Sequence, residues 1–95
     1  MKNSCEIKKF LTEYPEYKCN NNSNEININY KDILGNAALF TVTMFGYINV
    51  VKHCVNKGAN IKEKGYDPLY NSKETPLDMS IKCGYTDISN KLFIY

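Results

Sequence analysis

The chain has 95 residues, of which 43% are hydrophobic and 23% are charged. This length and composition are typical of one globular domain and exclude a disordered chain or two domains with separate cores. The net charge of +2 is too small to indicate nucleic acid, an anionic membrane or an acidic substrate as the partner. All 12 basic residues are Lys, so the chain has no guanidinium group for bidentate recognition of phosphate or guanine.

The cysteines and the N-terminal residues predict a reducing compartment. No apolar run approaches the roughly 18–20 residues that span a bilayer, and the first residues lead into no apolar segment typical of a secretory signal. Cys5, Cys19, Cys54 and Cys83 contain no C-x-x-C pair, which argues against a disulfide framework and against a zinc site. We therefore expect free thiols and a cytoplasmic location, and the sequence predicts no metal and no cofactor.

The first predicted element is a helix over residues 4–14, where apolar side chains recur at helical spacing. Ser4 is its candidate N-cap, and Pro15 ends it. Residues 16–25 are polar and rich in Asn, so a surface loop is expected there.

Two helices are predicted next, over residues 37–45 and 48–57. Gly46 separates them, and Gly58 is placed to end the second helix as a left-handed C-cap. Each helix has one apolar face, and a pair of short antiparallel helices cannot bury such faces alone. Neighbouring elements must therefore cover them.

A second pair of helices is predicted over residues 76–83 and 86–94. Thr75 followed by Pro76 is typical of a helix start, because Thr can cap and Pro fits the first turn. Gly84 separates the two helices. With all predicted elements helical, the fold class expected from the sequence is all-α.

The two predicted pairs are related by an internal repeat. Residues 35–39 and 73–77 begin corresponding segments, and in each segment a Gly-Tyr dipeptide follows seven residues after the shared Leu, at Gly46 and at Gly84. The offset is 38 residues, a period in the range typical of stacked helical units.

These segments resemble the ankyrin-repeat family. Residues 32–40 stand where the family has Asp-x-x-Gly-x-Thr-Pro-Leu-His, residues 46–52 are similar to its Gly-His-x-x-Val-Val-x segment, and residues 56–61 are similar to its Gly-Ala-Asp-Val close. The chain departs from the family at Ala37-Ala38, which replaces Thr-Pro. Residues 65–72 hold an insertion of about five residues relative to the usual period.

The resemblance implies an all-α stack of ankyrin-type helix-turn-helix repeats, arranged as a short solenoid of about two and a half units. Residues 1–95 are then one domain. Within it, residues 4–31 are a partial repeat with an inserted loop, residues 32–64 a complete repeat, and residues 65–95 a C-terminal repeat with an insertion. The chain is rich in Asn, Lys, Ile and Tyr, which are residues with AT-rich codons. This bias together with such an array is compatible with a large DNA virus, an intracellular bacterium or a protist. For a virus or an intracellular pathogen, the expected compartment is the host cytoplasm.

The resemblance also implies which residues contact a partner, because the family binds proteins through its turn tips and the concave face of its inner helices. The positions that match are Ile33, Leu34, Asn36, Met44 and Phe45 in the first unit, and Ser72, Glu74, Lys82 and Cys83 in the second. Four of the first five are apolar, and exposed apolar patches mark interfaces. The alternative is that Phe45 or Ile33 packs against the inserted loops, and the sequence leaves both interpretations open.

The function expected from the resemblance is non-catalytic binding of another protein of unknown identity. The alternative is a truncated or degenerate repeat protein that self-associates or completes the repeat stack of another chain. Catalysis is not expected: His53 is the single histidine, and no nucleophile at interpretable spacing pairs with it. A partly buried position on its helix is the interpretation favoured for His53.

Overall fold

Five helices lie within about two residues of the predicted bounds. The computed structural model describes residues 2–20 and 25–93, without the side chains of residues 2–5. Its helices are α1 Lys2–Glu13, α2 Ala38–Phe45, α3 Ile48–Asn56, α4 Pro76–Cys83 and α5 Thr86–Phe93; its strands are β1 Gly65–Asp67 and β2 Ser72–Glu74; a 3-10 turn spans Pro15–Tyr17.

One of the two helix N-caps predicted from the sequence is found in the structure. Because α1 begins at Lys2, Ser4 lies inside the helix and not at its N-cap, as had been expected. Thr75 caps α4 as predicted, and its hydroxyl accepts a hydrogen bond from the Asp78 N–H at 3.2 Å. The predicted continuation of the last helix to residue 94 and the thiol of Cys5 lie outside the described residues.

The corner between α2 and α3 has the same geometry as the corner between α4 and α5. Gly46 and Gly84 both adopt a left-handed conformation with φ of 76°, which costs a glycine almost nothing and would strain a residue with a Cβ. In each corner the following tyrosine N–H, of Tyr47 or Tyr85, donates to a carbonyl of the preceding helix. Each glycine therefore ends one helix and turns the chain into the next.

The all-α class is wrong, because residues 65–74 form an antiparallel β-hairpin and the chain is mixed α and β. Gly65 pairs with Glu74, Tyr66 with Lys73 and Asp67 with Ser72. The first strand and the turn lie in residues 65–72, which the sequence assigned to an insertion between helical units, and the second strand extends two residues beyond it. The described chain is therefore not the purely helical solenoid that was expected.

Two features of the first strand explain why a hairpin forms. Gly65 is buried against the ring of Phe40, and a Cβ at position 65 would collide with that ring. The Tyr66 backbone N–H donates to the side-chain oxygen of Asn36, and the Tyr66 carbonyl oxygen accepts from its side-chain nitrogen. A glycine allows the strand to approach α2 closely, and the asparagine fixes its register.

One hydrophobic core joins α1, α2, α3 and α5. Helix α1 contributes Phe10 and Leu11, which are at most 1% exposed. Helix α2 packs against α3 and α4, and α1 packs against the outer side of α3. The other buried members of this cluster are Tyr17, Ile26, Ala38, Leu39, Val42, Val50, Val51, Cys54, Ile88 and Leu92.

Tyr17 completes the core beside the start of α2. Its ring is fully buried and lies 5.3 Å from the ring of Phe10 and 5.2 Å from that of Tyr30. Its hydroxyl lies 2.9 Å from both the Asn36 carbonyl oxygen and the Thr41 Oγ1. Burial raises the pKa of Tyr17, so the hydroxyl stays protonated and ties the 3-10 turn to the start of α2.

Within residues 2–20 and 25–93, no helix combines the length and the apolar composition needed to cross a bilayer.

Candidate functional site

The turn before α2 presents two apolar side chains to solvent. Ile33 is 100% exposed and Leu34 is 46% exposed. The turn is held by Asp32, whose Oδ1 accepts hydrogen bonds from the N–H groups of Leu34 and Asn36, each at 2.9 Å. Such an Asx turn fixes the tip without using the two apolar side chains. Within the described residues Ile33 therefore packs against no inserted loop, so the interpretation that it does is wrong for this residue.

Asn36 does not belong to the exposed surface, although the resemblance placed it among the contact residues. It is 0% exposed, and its Nδ2 donates to the Tyr66 carbonyl oxygen at 3.0 Å while its Oδ1 accepts from the Tyr66 N–H at 2.6 Å. Both functional groups of the amide are thus used inside the protein. A partner at this face has no access to the Asn36 side chain.

Met44 and Phe45 lie at the C-terminal end of α2, on the side that faces the hairpin. The Phe45 ring stacks on that of Tyr14 with 5.4 Å between centroids, yet 43% of the residue is exposed. Part of the Phe45 ring therefore packs on Tyr14, the residue that follows α1, and part remains open to solvent. Met44 is half-buried.

Three of the predicted contact residues of the second unit lie close together. Ser72 and Glu74 both contact the ammonium group of Lys82. The Lys82 Nζ lies 2.9 Å from the Glu74 Oε1, 3.5 Å from the Ser72 Oγ and 4.5 Å from the centroid of the Tyr70 ring. The hydrogen bond from Lys82 lowers the pKa of Glu74, and the same bond raises the pKa of Lys82. Both groups stay charged near neutral pH, and the Lys82 ammonium group lies over the face of the Tyr70 ring.

An apolar groove lies between the end of α2, at Met44 and Phe45, and the hairpin. It is called the apolar groove below. Its volume is about 260 Å³. It runs between the ends of α2 and α4 and the turn of the hairpin. Its lining consists of Met44, Phe45, Asp67, Pro68, Leu69, Tyr70, Met79 and Cys83.

The hairpin turn supplies the most exposed apolar wall of the groove. Leu69 is 82% exposed and Tyr70 is 59% exposed. Asp67 is only 4% exposed, and its Oδ1 accepts a hydrogen bond from the Leu69 N–H at 2.9 Å. The carboxylate therefore holds the turn in place and lets Leu69 and Tyr70 extend beyond the sheet. Asn71 follows with a φ of 51°, a left-handed conformation that asparagine tolerates better than most residues.

Cys83 forms the floor of the groove together with Met79. Its Sγ donates a weak hydrogen bond to the Met79 Sδ at 3.6 Å. Desolvation raises the pKa of the Cys83 thiol, with a smaller contribution from the Asp67 carboxylate. Cys83 is exposed, whereas Met79 is 2% exposed. The raised pKa keeps the thiol protonated near neutral pH.

Sequence reasoning found one side of this groove and missed the other. Met44, Phe45 and Cys83 were among the contact positions, and all three line the groove. Leu69 and Tyr70 were missed because they lie in the segment treated as an insertion. The sequence did contain a signal for them, because Leu69 and Tyr70 are two adjacent large apolar residues in a polar connection. Contiguous apolar residues on a surface mark interaction sites. Ile33 and Leu34 are not among the lining residues.

Cys54 and His53 are adjacent groups of the kind that can act as a nucleophile or a base. Cys54 is fully buried, and burial raises the pKa of its thiol to about 12, which makes it inert. His53 is half-buried, as expected, and its Nε2 has no hydrogen-bond partner among the described residues. Among residues 2–20 and 25–93, no three His, Cys, Asp or Glu side chains lie close enough together to hold a metal ion.

Neither a protein-family model nor a curated protein matches the sequence of this chain.

Proposed function

We propose that the chain is a non-catalytic module that binds another protein through the apolar groove. The observation that carries this proposal is the exposure of Leu69 and Tyr70, at 82% and 59%, beside Phe45. Large apolar side chains that stand in solvent around a concave surface are typical of binding sites. Tyrosine is also enriched among the residues that dominate binding energy.

The resemblance to ankyrin-repeat proteins supports the same proposal, because the family's contact positions match Met44, Phe45 and Cys83, which line the groove. The family assignment itself stays a prediction. The free thiols of Cys19, Cys54 and Cys83 are typical of a reducing compartment, and the proposal therefore places the interaction in the cytoplasm.

The chemistry of the groove limits the kind of partner. The Lys82 ammonium group near Tyr70 is paired with the Glu74 carboxylate, and Asp67 is nearly buried. The lining is otherwise apolar. We therefore propose a partner segment that inserts an aliphatic or aromatic side chain, and not one recognised by its charge.

A random peptide library displayed on phage tests this proposal, since the probe is then defined even though the partner is unidentified. Peptides selected on the wild-type protein are titrated against the Tyr70→Ser, Leu69→Ser and Ile33→Ser variants. Burying one large apolar side chain contributes roughly 1.5–3 kcal/mol. We therefore expect the two groove variants to bind about 10–150-fold more weakly.

Ile33→Ser is the matched control, because Ile33 is fully exposed and does not line the groove. It should bind like the wild type. Since all three positions are exposed, thermal unfolding should be nearly unchanged in each variant. Equal losses in Ile33→Ser and Tyr70→Ser, or unchanged binding by folded groove variants, would contradict the proposal.

A second candidate function, self-association, is favoured by the apolar surface of the last helix pair. Phe93 is 77% exposed and Ile81 is 61% exposed. Phe93 also borders a cavity of about 440 Å³, whose other lining residues are Ile61, Lys62, Thr75, Leu77 and Leu92. A second copy of the chain could cover this surface.

Sedimentation velocity over a range of concentrations separates the two candidates. Self-association predicts a dimer that forms as the concentration rises and that the Phe93→Ser substitution returns to the 10.9 kDa monomer. The binding-module proposal predicts a monomer throughout. A dimer that survives Phe93→Ser would show that copies associate through another surface.

A further inference from the structure

Helices α4 and α5 pack against α2 and α3 with one face, and their outer face carries exposed apolar side chains. Ile81 is 61% exposed and Phe93 is 77% exposed. At the positions 38 residues earlier in the sequence, Thr43 is 0% exposed and Val55 is half-buried. Positions that are covered in the first helix pair are therefore open in the second, and we call this surface the α4–α5 face.

The corner between α2 and α3 shows how such a corner is covered within this chain. Tyr85 lies over Gly46, and a Cβ built at Gly46 would lie 2.9 Å from the Tyr85 Cζ. The Tyr85 hydroxyl donates a hydrogen bond to the Met44 carbonyl oxygen at 3.2 Å. A glycine lets the ring approach the backbone this closely, and the hydroxyl pairs with a carbonyl that the end of a helix leaves without an internal partner. An aromatic side chain of the next helix pair thus covers the corner.

The corresponding corner between α4 and α5 lacks this cover. Gly84 has the same φ of 76° as Gly46, but in the part of the chain that the structure describes no atom lies within 4 Å of a Cβ built at Gly84. The Lys82 carbonyl oxygen corresponds to that of Met44 and belongs to the last turn of α4. A cavity of about 250 Å³ lies at this corner, and its lining consists of Ser80, Ile81, Gly84, Thr86 and Ser89.

We propose that the α4–α5 face binds a helix pair of another protein, and that the corner of this pair places an aromatic side chain over Gly84. Tyrosine suits the position, because its ring would fill the cavity and its hydroxyl would donate to the Lys82 carbonyl oxygen. Among the described residues that line the cavity, none is charged, so shape and this hydrogen bond select the partner. The cavity shares no lining residue with the apolar groove, and this binding surface goes beyond the proposed function.

A second copy of the chain fits this face less well, because its own corner tyrosines are engaged. Tyr85 covers Gly46. Tyr47 is half-buried, its ring centroid lies 6.0 Å from that of Phe45, and its hydroxyl donates to the Glu13 Oε1 at 3.1 Å. Either tyrosine would have to leave these contacts to reach a second copy. The partner therefore supplies an aromatic corner residue of its own.

A phage library of disulfide-stapled helical hairpins with randomised corner residues is the probe for this face. Hairpins selected on the wild-type protein are titrated against the Ile81→Lys and Ile33→Lys variants. Ile81 lines the cavity, whereas Ile33 is fully exposed and lines neither the cavity nor the apolar groove. Ile33→Lys is therefore the matched control. Since both positions are exposed, thermal unfolding should be nearly unchanged in each variant.

We expect the selected hairpins to carry an aromatic residue at the corner. Its replacement by Ala, and the Ile81→Lys substitution, should each weaken binding about 10–150-fold, the loss that corresponds to one large apolar side chain. Ile33→Lys should bind like the wild type. In proton NMR spectra the bound ring should shift the Hα signals of Gly84. Gly58, which is also left-handed and open, should keep its shifts.

The proposal is wrong if no hairpin is selected, if the selected hairpins show no preference for an aromatic corner residue, or if Ile81→Lys binds them like the wild type. A dimer that forms as the concentration rises and that Ile81→Lys dissociates would assign the face to a second copy and so overturn the proposal. Peptides selected for the apolar groove should bind Ile81→Lys unchanged, so the failure of one proposal is distinguishable from the failure of the other.

Discussion

The side chain of Asn36 is fully buried, although asparagine is among the residues most often found exposed. Its burial is compensated, because the amide makes two hydrogen bonds to the backbone of Tyr66. In contrast, Ile33 lies three residues earlier and stands entirely in solvent. At the scale of single residues, the polar side chain therefore stabilises the fold, and the apolar one is left on the surface.

The Asn36→Ala substitution should destabilise the protein substantially. It leaves the N–H and the C=O of Tyr66 without their partner in a half-buried position, and the loss of such hydrogen bonds costs about 2–4 kcal/mol in total. Urea unfolding measures the change in the free energy of unfolding. Asn90→Ala, at an exposed position on α5, is the control and should change stability by less than about 0.5 kcal/mol. Equal effects of the two substitutions would show that Asn36 does not hold the hairpin.

His53 gives the stability a dependence on pH that can be isolated, because it is the single histidine. Burial lowers its pKa below the usual 6.5, with a further contribution from Lys57 and an opposing one from Glu25. As the pH falls through 6.5, the unfolded chain takes up the proton first. The folded state is then disfavoured, and the free energy of unfolding decreases.

The His53→Gln variant should lack this part of the pH dependence. Urea unfolding at a series of pH values between 5 and 8 should show the wild type losing stability towards pH 5 more steeply than the variant. Above pH 7 the two should change in parallel, since the imidazole is neutral in both states of the chain. An equal slope in the two proteins at low pH would show that the burial of His53 does not affect its protonation.

At the scale of elements, the helices were predictable and the hairpin was not. The helices follow from apolar spacing and from stop signals such as Gly46, which act locally along the chain. The hairpin depends on contacts between residues distant in the sequence: Gly65 against the ring of Phe40, and Asn36 with the backbone of Tyr66, 30 residues away. No local pattern shows such contacts, because three-residue strands are too short to display alternation.

The candidate site was predictable to the extent that it lies on a helix. Met44 and Phe45 were located because Gly46 fixes the end of α2. Leu69 and Tyr70 lie on the hairpin turn, so their place beside α2 depends on the same long-range contacts that position the hairpin. Their exposure cannot be read from residue type, since both would fit a core equally well.

A double-mutant cycle between Gly65 and Phe40 tests the close approach of β1 to α2. Gly65→Ala should destabilise the protein by about 1–3 kcal/mol, because the new methyl group overlaps the buried ring. In a Phe40→Leu background the smaller side chain leaves room for that methyl group, and the same substitution should cost less. Urea unfolding of the four proteins gives the coupling energy. Additive effects would show that the Phe40 ring is not what excludes a side chain at position 65.

At the scale of the whole molecule, one core connects elements that are distant in the sequence. Leu11 of α1 and Leu92 of α5 belong to the same buried cluster as the residues of α2 and α3. No helix pair has a core of its own within the described residues. Removing contacts at either end of this cluster therefore exposes apolar surface of the elements in the middle.

Unfolding should accordingly be a single cooperative transition. Leu11→Ala and Leu92→Ala should each cost about 2–5 kcal/mol, and in both variants the helical signal in far-UV circular dichroism and the tyrosine fluorescence should change at the same urea concentration. The exposed Leu69→Ala is the control, and its midpoint should stay near that of the wild type because Leu69 buries little surface within the chain. If Leu11→Ala instead separated the two signals, α1 would unfold on its own, and the core would consist of parts that fold independently.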